Sequence, residues 1–281
     1  MSSTIPTFEY PRVLSIAGSD SGGGAGIQAD IKTIAALGCY GMTAITALTA
    51  QNTLGVRSIH GVPPQMLRDQ IDAVVEDIGV HAVKIGMLHS PEIVLTVAQA
   101  IDRHALKLVV LDPVMVATSG AVLIGSPAIA VLVRELFGRV MVITPNLDEA
   151  SLLVGRPLEN EHAMEEAARE LIGMGARAVL LKGGHLAGDA VSDLLMTQDE
   201  QIHWMRAPRI ATTNTHGTGC TLSSAMAAYL ALGQPLLEAV LGARAYVRAA
   251  LAAGSGVRTG AGGGPLNHGH APHAMQLRPL Q

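Results

Sequence analysis

The chain alternates short apolar runs with longer stretches in which apolar residues recur every three or four positions. Residues 13–17 and 107–111 have the length of buried strands, whereas Ile27, Ile31 and Ile34 follow helical spacing. Strands that alternate with helices are typical of a mostly parallel sheet covered on both faces. The pattern therefore predicts an α/β fold with a central, mostly parallel β-sheet flanked by helices.

The predicted elements follow one another without an internal repeat or a linker. Strands are predicted at residues 13–17, 43–49, 56–62, 82–85, 107–111, 140–144 and 177–181, with a hairpin at 191–197 and 201–205. Helices are predicted at 27–37, 63–78, 90–105, 146–153, 162–174, 221–232 and 235–252. We divide the chain into an N-terminal tail (1–12), a single domain (13–253) and a C-terminal tail (254–281).

Several predicted strands end in residues that can bind a ligand, namely Gly18, Gln51, Lys84, Asp112, Asn146 and Lys182. In open α/β sheets, ligands bind outside the carboxyl ends of the strands. The pattern therefore gathers the candidate site residues at one edge of the sheet.

Composition narrows the class of protein. The net charge of −4 argues against nucleic acid as the main partner. Cys39 and Cys220 are the only cysteines among 281 residues, which indicates a reducing compartment without a disulfide framework. Residues 1–12 lack the apolar stretch of a signal peptide, and the apolar part of the charge-free segment 210–237 is too short to cross a membrane. We expect a soluble cytoplasmic protein.

A polar stretch with two glycines, residues 213–220, precedes a predicted helix. Gly217 and Gly219 allow the backbone to turn tightly and approach a ligand, and we expect both to adopt angles closed to other residues. The helix directs unpaired N–H groups and its positive end into the turn. This arrangement binds anions, usually phosphate, although an ordinary tight turn has the same pattern. A Walker A sequence is absent.

Cys220 lies at the start of this helix, four residues after His216. A helix N-terminus lowers the pKa of a thiol. Cys220 is therefore a candidate covalent nucleophile with His216 as its base, or a candidate general base on a substrate hydroxyl. It is also compatible with a small core residue.

A second glycine-rich loop, with Gly22, Gly23, Gly24 and Gly26, follows the first strand. Its spacing does not match G-x-G-x-x-G, and no acidic residue follows about 20 positions later. We therefore do not predict a dinucleotide site there.

Two carboxylates and one amine stand near predicted strand ends. Asp112 precedes Pro113, and Glu149 follows Asn146 by three residues. Carboxylates near an anion site suit Mg²⁺, although each acid could also cap a helix or face solvent. Lys182, which two glycines follow, could neutralise phosphates or extend from the sheet into solvent.

The last 28 residues, 254–281, are rich in glycine and proline and contain His268, His270 and His273. Histidines at this spacing could bind a metal. We favour a flexible, partly packed terminus.

Seven segments, in order along nearly the whole chain, resemble motifs of the hydroxymethylpyrimidine/phosphomethylpyrimidine kinases of thiamine biosynthesis, members of the ribokinase-like superfamily. They are AGSDSGGGAGIQAD (17–30), TALTAQN (46–52), KIGML (84–88), LDPVM (111–115), TPNLDE (144–149), LKGGH (181–185) and NTHGTGCTL (214–222). The run GPLNH at 264–268 resembles the C-terminal end of the family.

The resemblance implies a ribokinase-like kinase domain that uses ATP and Mg²⁺ to phosphorylate 4-amino-5-hydroxymethyl-2-methylpyrimidine and then its monophosphate. A homodimer is expected. The pyrimidine pocket would be lined by Gly18, Asp30, Gln51, Met87 and Val114. The nucleotide would contact Asn146, Lys182, Thr213 and Thr215, and Asp112 and Glu149 would hold the Mg²⁺ region. The transferring phosphoryl group would receive backbone N–H groups from Gly217, Thr218, Gly219 and Cys220.

One position departs from the wider superfamily. Many of its sugar kinases carry Asp where this chain has Cys220, so the backbone of Cys220 is a firmer prediction than its thiol as proton acceptor. Phosphoryl transfer depends mainly on positioning and charge stabilisation, so a weak base can suffice.

Three other functions remain open from the sequence. Pyridoxal kinases share the fold and a Gly-Thr-Gly loop. A cysteine-dependent hydrolase would use Cys220 and His216, but no third residue to orient the histidine can be named from the sequence. A non-catalytic binding module for the same ligands is the third.

Overall fold

The computed structural model describes residues 7–115, 124–184, 186 and 188–280. The strands are β1 (Phe8–Glu9), β2 (Arg12–Asp20), β3 (Tyr40–Asn52), β4 (Gly55–Gly61), β5 (Ala82–Ile85), β6 (Val109–Leu111), β7 (Val142–Ile143), β8 (Ala178–Leu181), β9 (Ala190–Thr197), β10 (Ile202–Pro208) and β11 (Arg278–Pro279). The helices are α1 (Gly26–Ala36), α2 (Pro64–Asp77), α3 (Pro91–Arg103), α4 (Ser126–Leu136), α5 (Leu147–Val154), α6 (Glu161–Gly173), α7 (Thr218–Ala231) and α8 (Leu236–Gly254).

In the described part of the chain, nine strands form the central sheet, in the order β10-β9-β8-β7-β6-β5-β2-β3-β4. The six strands from β8 to β3 are parallel, while β4 at one edge and the β9–β10 hairpin at the other are antiparallel. The parallel strands are largely buried on both faces, in keeping with their apolar runs. Their carboxyl ends therefore meet at one edge, as the sequence predicts.

Helices cover both faces of this sheet. Leu67 of α2, Val97 of α3, Leu132 of α4 and Leu171 of α6 belong to one hydrophobic core. Helices α1, α7 and α8 contribute to a second core on the opposite face, which includes Ile34. The predicted α/β architecture is confirmed.

Two helices differ from the prediction. Helix α4 was not predicted, although Ala128, Leu132 and Leu136 recur every four residues and are buried. Helix α7 begins at Thr218 rather than at residue 221. Its first turn is rich in glycine and threonine, which have low helix propensity, so only its packing against the rest of the fold explains the earlier start.

The C-terminal segment is packed rather than flexible where residues 264–268 cross the domain. Leu266 and His268 are buried, and the carbonyl oxygen of Gly264 accepts the backbone N–H of His216 over 3.1 Å. Among the described residues, the side chains with metal-ligand spacing are Asp72, Glu76 and His104, so the tail histidines do not form such a group.

Both ends of the chain also meet, because β1 pairs with β11 in a two-stranded sheet. The division into two tails and one domain stays a prediction.

Candidate active site

A cavity of about 720 Å³ opens at the carboxyl edge of the parallel strands. It is lined by thirteen of the predicted site residues, which are Gly18, Gln51, Met87, Asp112, Val114, Asn146, Glu149, Lys182, Thr215, Gly217, Thr218, Gly219 and Cys220. Asp30 and Thr213 do not line it.

The two glycines at the start of α7, Gly217 and Gly219, have different structural roles. Gly217 has φ of 85°, and a Cβ there would overlap the carbonyl oxygen of Gly24. Gly219 lies in the helix without a positive φ, so the expectation of unusual backbone angles is wrong for Gly219. A Cβ on Gly219 would instead lie 3.2 Å from Lys182 Nζ and 3.4 Å from Asp112 Oδ2. Gly219 therefore lets the helix approach both charged groups.

The first turn of α7 faces an ion pair between the partly buried Lys182 and the buried Asp112. Lys182 Nζ donates to Asp112 Oδ1 over 2.8 Å, and Thr144 Oγ1 donates to the same oxygen over 3.0 Å. Burial favours the protonated form of Asp112, but Lys182, Lys84 and Thr144 together outweigh it and hold the pKa of Asp112 below its usual value. A charged amine thus lies beside N–H groups that have no acceptor within the helix.

Glu149 stands at the start of α5, where it completes a capping box with Asn146. Its carboxylate accepts the backbone N–H of Asn146 over 2.8 Å, and the Asn146 side chain accepts the N–H of Glu149 over 2.9 Å. Burial raises the pKa of Glu149 to about 7; Lys182 opposes the shift and Asp112 adds to it.

Asp112 and Glu149 are suitable ligands for a divalent cation. Both are at most 4% exposed, and the charge of Asp112 opposes ionisation of Glu149, so a cation bound to both would relieve the repulsion. Carboxylate oxygens near a phosphate site are the donors that Mg²⁺ takes.

Asp30 lies behind the wall of the cavity, fully buried. Lys84 Nζ donates to its two carboxylate oxygens over 2.9 and 2.8 Å. Ser15 and Ser224 donate to it over 2.5 and 2.6 Å. Burial opposes the charge on Lys84, but Asp30 and Asp112 together outweigh it, so the pKa of Lys84 is raised. Because protein donors already engage Asp30, the group that reaches the cavity is Lys84.

Cys220 opens partly onto the cavity, and its thiol is a poor base. Enclosure by the protein raises its pKa to about 11, with Lys84 lowering it only in part. The expectation that the helix N-terminus lowers this pKa is therefore wrong. The ring Nε2 of His216 lies 2.9 Å from Asp20 Oδ2, and no hydrogen bond joins it to Cys220 among the described residues. The geometry does not form a Cys–His pair.

Sequence reasoning missed Asp20, which organises the glycine-rich loop. Its Oδ1 accepts the N–H of Gly22 over 2.8 Å, and its Oδ2 accepts those of Gly24 and Ala25 over 3.1 and 2.9 Å. The signal was present, because an aspartate before a glycine run commonly binds the backbone two residues on.

Two arginines at the far end of the cavity were also missed. Arg244 Nε donates to Asp193 Oδ2 over 2.7 Å, and Asp193 Oδ1 accepts the N–H of Gly183 over 2.9 Å. Arg209 donates to the carbonyl oxygens of Gly184 and of Leu186 over 2.6 Å each. The hydrogen bonds of both arginines stabilise the turn that follows Lys182. No local sequence motif predicts these contacts.

The parallel sheet, the site at its carboxyl edge and the glycine-lined start of α7 define a kinase of ribokinase-like fold. Within that class, the chain belongs to the phosphomethylpyrimidine kinase family, whose model matches residues 20–267.

Two curated relatives resemble the chain over most of its length. The hydroxymethylpyrimidine/phosphomethylpyrimidine kinase of Rhizobium meliloti is 50% identical, and the match covers 92% of this chain and 96% of the relative. The thiamine biosynthesis bifunctional protein ThiED of Geobacter sulfurreducens is 52% identical over 92% of this chain, which spans 53% of that longer protein.

A solved structure supports the fold independently. The ADP complex of Bacillus subtilis pyridoxal kinase superposes with a TM-score of 0.86 at 36% identity, covering 92% of this chain and 98% of that one. Within the described part of the chain, none of the helices has the length and apolarity to span a bilayer.

Proposed function

We propose that the protein transfers the γ-phosphoryl group of ATP to the hydroxymethyl group of 4-amino-5-hydroxymethyl-2-methylpyrimidine, and a second one to the resulting monophosphate, in thiamine diphosphate biosynthesis. The relatives described above, a hydroxymethylpyrimidine/phosphomethylpyrimidine kinase and a thiamine biosynthesis bifunctional protein, support this substrate and both steps. The observation that carries the proposal is one cavity lined both by Gln51 and Met87 and by the start of α7 with Lys182.

The start of α7 would hold the transferring phosphoryl group. Backbone N–H groups of Gly219 and Cys220 point from the helix N-terminus, where the helix dipole favours negative charge. Lys182 adds a fixed positive charge close to Gly219. Preorganised donors of this kind stabilise the charge that develops on the phosphoryl oxygens.

Asp112 and Glu149 would hold Mg²⁺, which supplies neutralising charge to the phosphates when it is bound. Because Glu149 also caps α5, its position is fixed before any ligand arrives. Asn146 and Thr215 line the same cavity and are proposed nucleotide contacts.

Proton removal from the substrate hydroxyl would not require a thiolate. With its pKa raised to about 11, Cys220 is neutral near pH 7. We assign it a place in the wall and a backbone role, since positioning and charge stabilisation dominate phosphoryl transfer.

Pyridoxal phosphorylation is the second candidate, because a pyridoxal kinase shares the fold closely. Gln51 separates the two candidates: a side-chain amide matches the adjacent ring nitrogen and amino group of the aminopyrimidine, donor to acceptor and acceptor to donor. Pyridoxal lacks that amino group.

An assay of ATP consumption with the pyrimidine, its monophosphate and pyridoxal, with product masses recorded, tests the proposal. We expect mono- and diphosphorylated pyrimidine as the main products. Turnover of pyridoxal alone would contradict the proposal, and no ATP use with any substrate would favour a binding module.

Assembly and location are further predictions. A homodimer would show twice the chain mass of 29.1 kDa in light scattering. The cytoplasmic location awaits fractionation of cells.

A further inference from the structure

His216 lies where several segments of the chain meet, and the proposed reaction does not use its ring. Its backbone N–H donates to Gly264 O over 3.1 Å. Its ring Nε2 lies 2.9 Å from Asp20 Oδ2 and 3.4 Å from Gln51 Nε2. His216 therefore contacts the glycine-rich loop, the end of β3 and the C-terminal segment, while its neighbour Gly217 caps α7.

The contact with Asp20 determines what the His216 ring can do. Burial opposes ionisation of Asp20, but hydrogen bonds from His216 and from backbone N–H groups outweigh it and hold the pKa of Asp20 below its usual value. An ionised carboxylate only accepts hydrogen bonds, so Nε2 of His216 is the donor. A nitrogen that donates to Asp20 cannot accept from Gln51. The amide hydrogens of Gln51 on that side therefore stay available to a ligand.

The same region packs backbone against backbone. A Cβ on Gly24 would overlap the His216 ring, and a Cβ on Gly217 would overlap the carbonyl oxygen of Gly24. Asp20 also accepts the N–H of Gly24, so one carboxylate holds both loops. A shift of the glycine-rich loop must therefore move Gly217, the N-cap of α7, and a shift of Gly217 must move the loop.

We propose that His216 is a positioning residue that couples the pyrimidine site at Gln51 to the nucleotide site at the start of α7, so that each ligand strengthens the binding of the other. This inference rests on the proposed function, because it requires both ligands to occupy the cavity. The first ligand orders Gln51 or the α7 turn and, through His216, the other side. The second ligand then binds to loops that are already ordered, and the gain is reciprocal.

Calorimetric titration of the pyrimidine, with and without a non-hydrolysable ATP analogue and Mg²⁺, tests this coupling. We expect the analogue to tighten pyrimidine binding about tenfold in the wild type. In His216→Leu the ratio of pyrimidine affinities with and without the analogue should fall to near one. His216→Gln keeps an N–H within reach of Asp20 and should retain most of the coupling. His162→Leu changes a histidine that is 80% exposed and serves as the matched control.

Each outcome bears on a separate claim. The inference is overturned if His216→Leu shows the same coupling as the wild type. It is also overturned if the analogue leaves the pyrimidine affinity of the wild type unchanged. A wild type that binds the analogue but no pyrimidine overturns the proposed function instead. Thermal unfolding checks that the variants fold. If His216→Leu does not fold, Asp20→Asn serves as the test variant. It removes the charged acceptor of the His216 ring and should also lose the coupling.

Discussion

Gly219 lies directly over the ion pair between Lys182 and Asp112, so that a Cβ at this position would come within 3.2 Å of Lys182 Nζ. The helix N-terminus and the partly buried amine of Lys182 therefore share one small space. This space is where we expect the transferring phosphoryl group.

Gly219→Val should fill that space without unfolding the domain. The residue is helical, so valine is tolerated by the backbone, but its side chain would displace the phosphoryl group and Lys182. We expect kcat/KM to fall by at least about a hundredfold, the scale for losing a key oxyanion donor. Gly173→Val is the matched control, because Gly173 ends α6 and no atom of the described residues lies within 4 Å of its Cβ position. Normal turnover in Gly219→Val would exclude this turn as the phosphoryl site.

Cys220→Ser should keep measurable kinase activity, within about tenfold of the wild type, because the backbone N–H remains and the proposed reaction does not use the thiol as its base. Since the pKa of the thiol is raised to about 11, the pH profile of kcat should show no inflection from Cys220 near neutral pH. Intact mass spectrometry during turnover should show no phosphorylated enzyme. A trapped covalent adduct on the wild type would contradict this role.

Gln51→Leu should weaken pyrimidine binding and leave ATP affinity almost unchanged. Polar groups of the substrate would lose their partner in a desolvated site, which costs about 1–3 kcal/mol, or roughly ten- to a hundredfold in affinity. Calorimetric titration of both ligands measures this, with the exposed Gln65→Leu on α2 as control. Equal losses for both ligands would indicate a structural role for Gln51.

Glu149→Gln should stabilise the metal-free protein above pH 7. Because the pKa of Glu149 is about 7 in the fold against a usual 4.5, the folded state holds an extra proton between these values. Wild-type stability is therefore lost as pH rises through this window. At about pH 8 we expect the variant to gain on the order of 2 kcal/mol over the wild type, and little at about pH 4.5.

Denaturant unfolding at both pH values, with and without Mg²⁺, measures the effect. Added Mg²⁺ should stabilise the wild type more than Glu149→Gln, because binding to the folded state adds to its stability. An equal response of both proteins to Mg²⁺ would remove Glu149 from the metal site.

The sequence alone predicted most of the strands and helices and their order along the chain. Strands β5 and β8 are apolar runs because parallel strands are buried on both faces. Such a run can be recognised within a short segment of the sequence. The same reasoning placed the polar residues near the ends of these strands, Lys84 and Lys182, at one edge of the sheet. The cavity lies at that edge. Helix α4 also carries a local signal, because Ala128, Leu132 and Leu136 recur every four residues.

Only the tertiary structure decided which side chains meet and how they ionise. Asp20 and His216 are 196 residues apart, and Asp30 and Lys84 are 54 apart, so no spacing rule predicts either contact. The helix N-terminus at Cys220 suggested a lowered pKa, but enclosure by the surrounding protein overcomes it. Pairing, burial and the start of α7 depend on distances across the fold, and these exist only once the chain has packed.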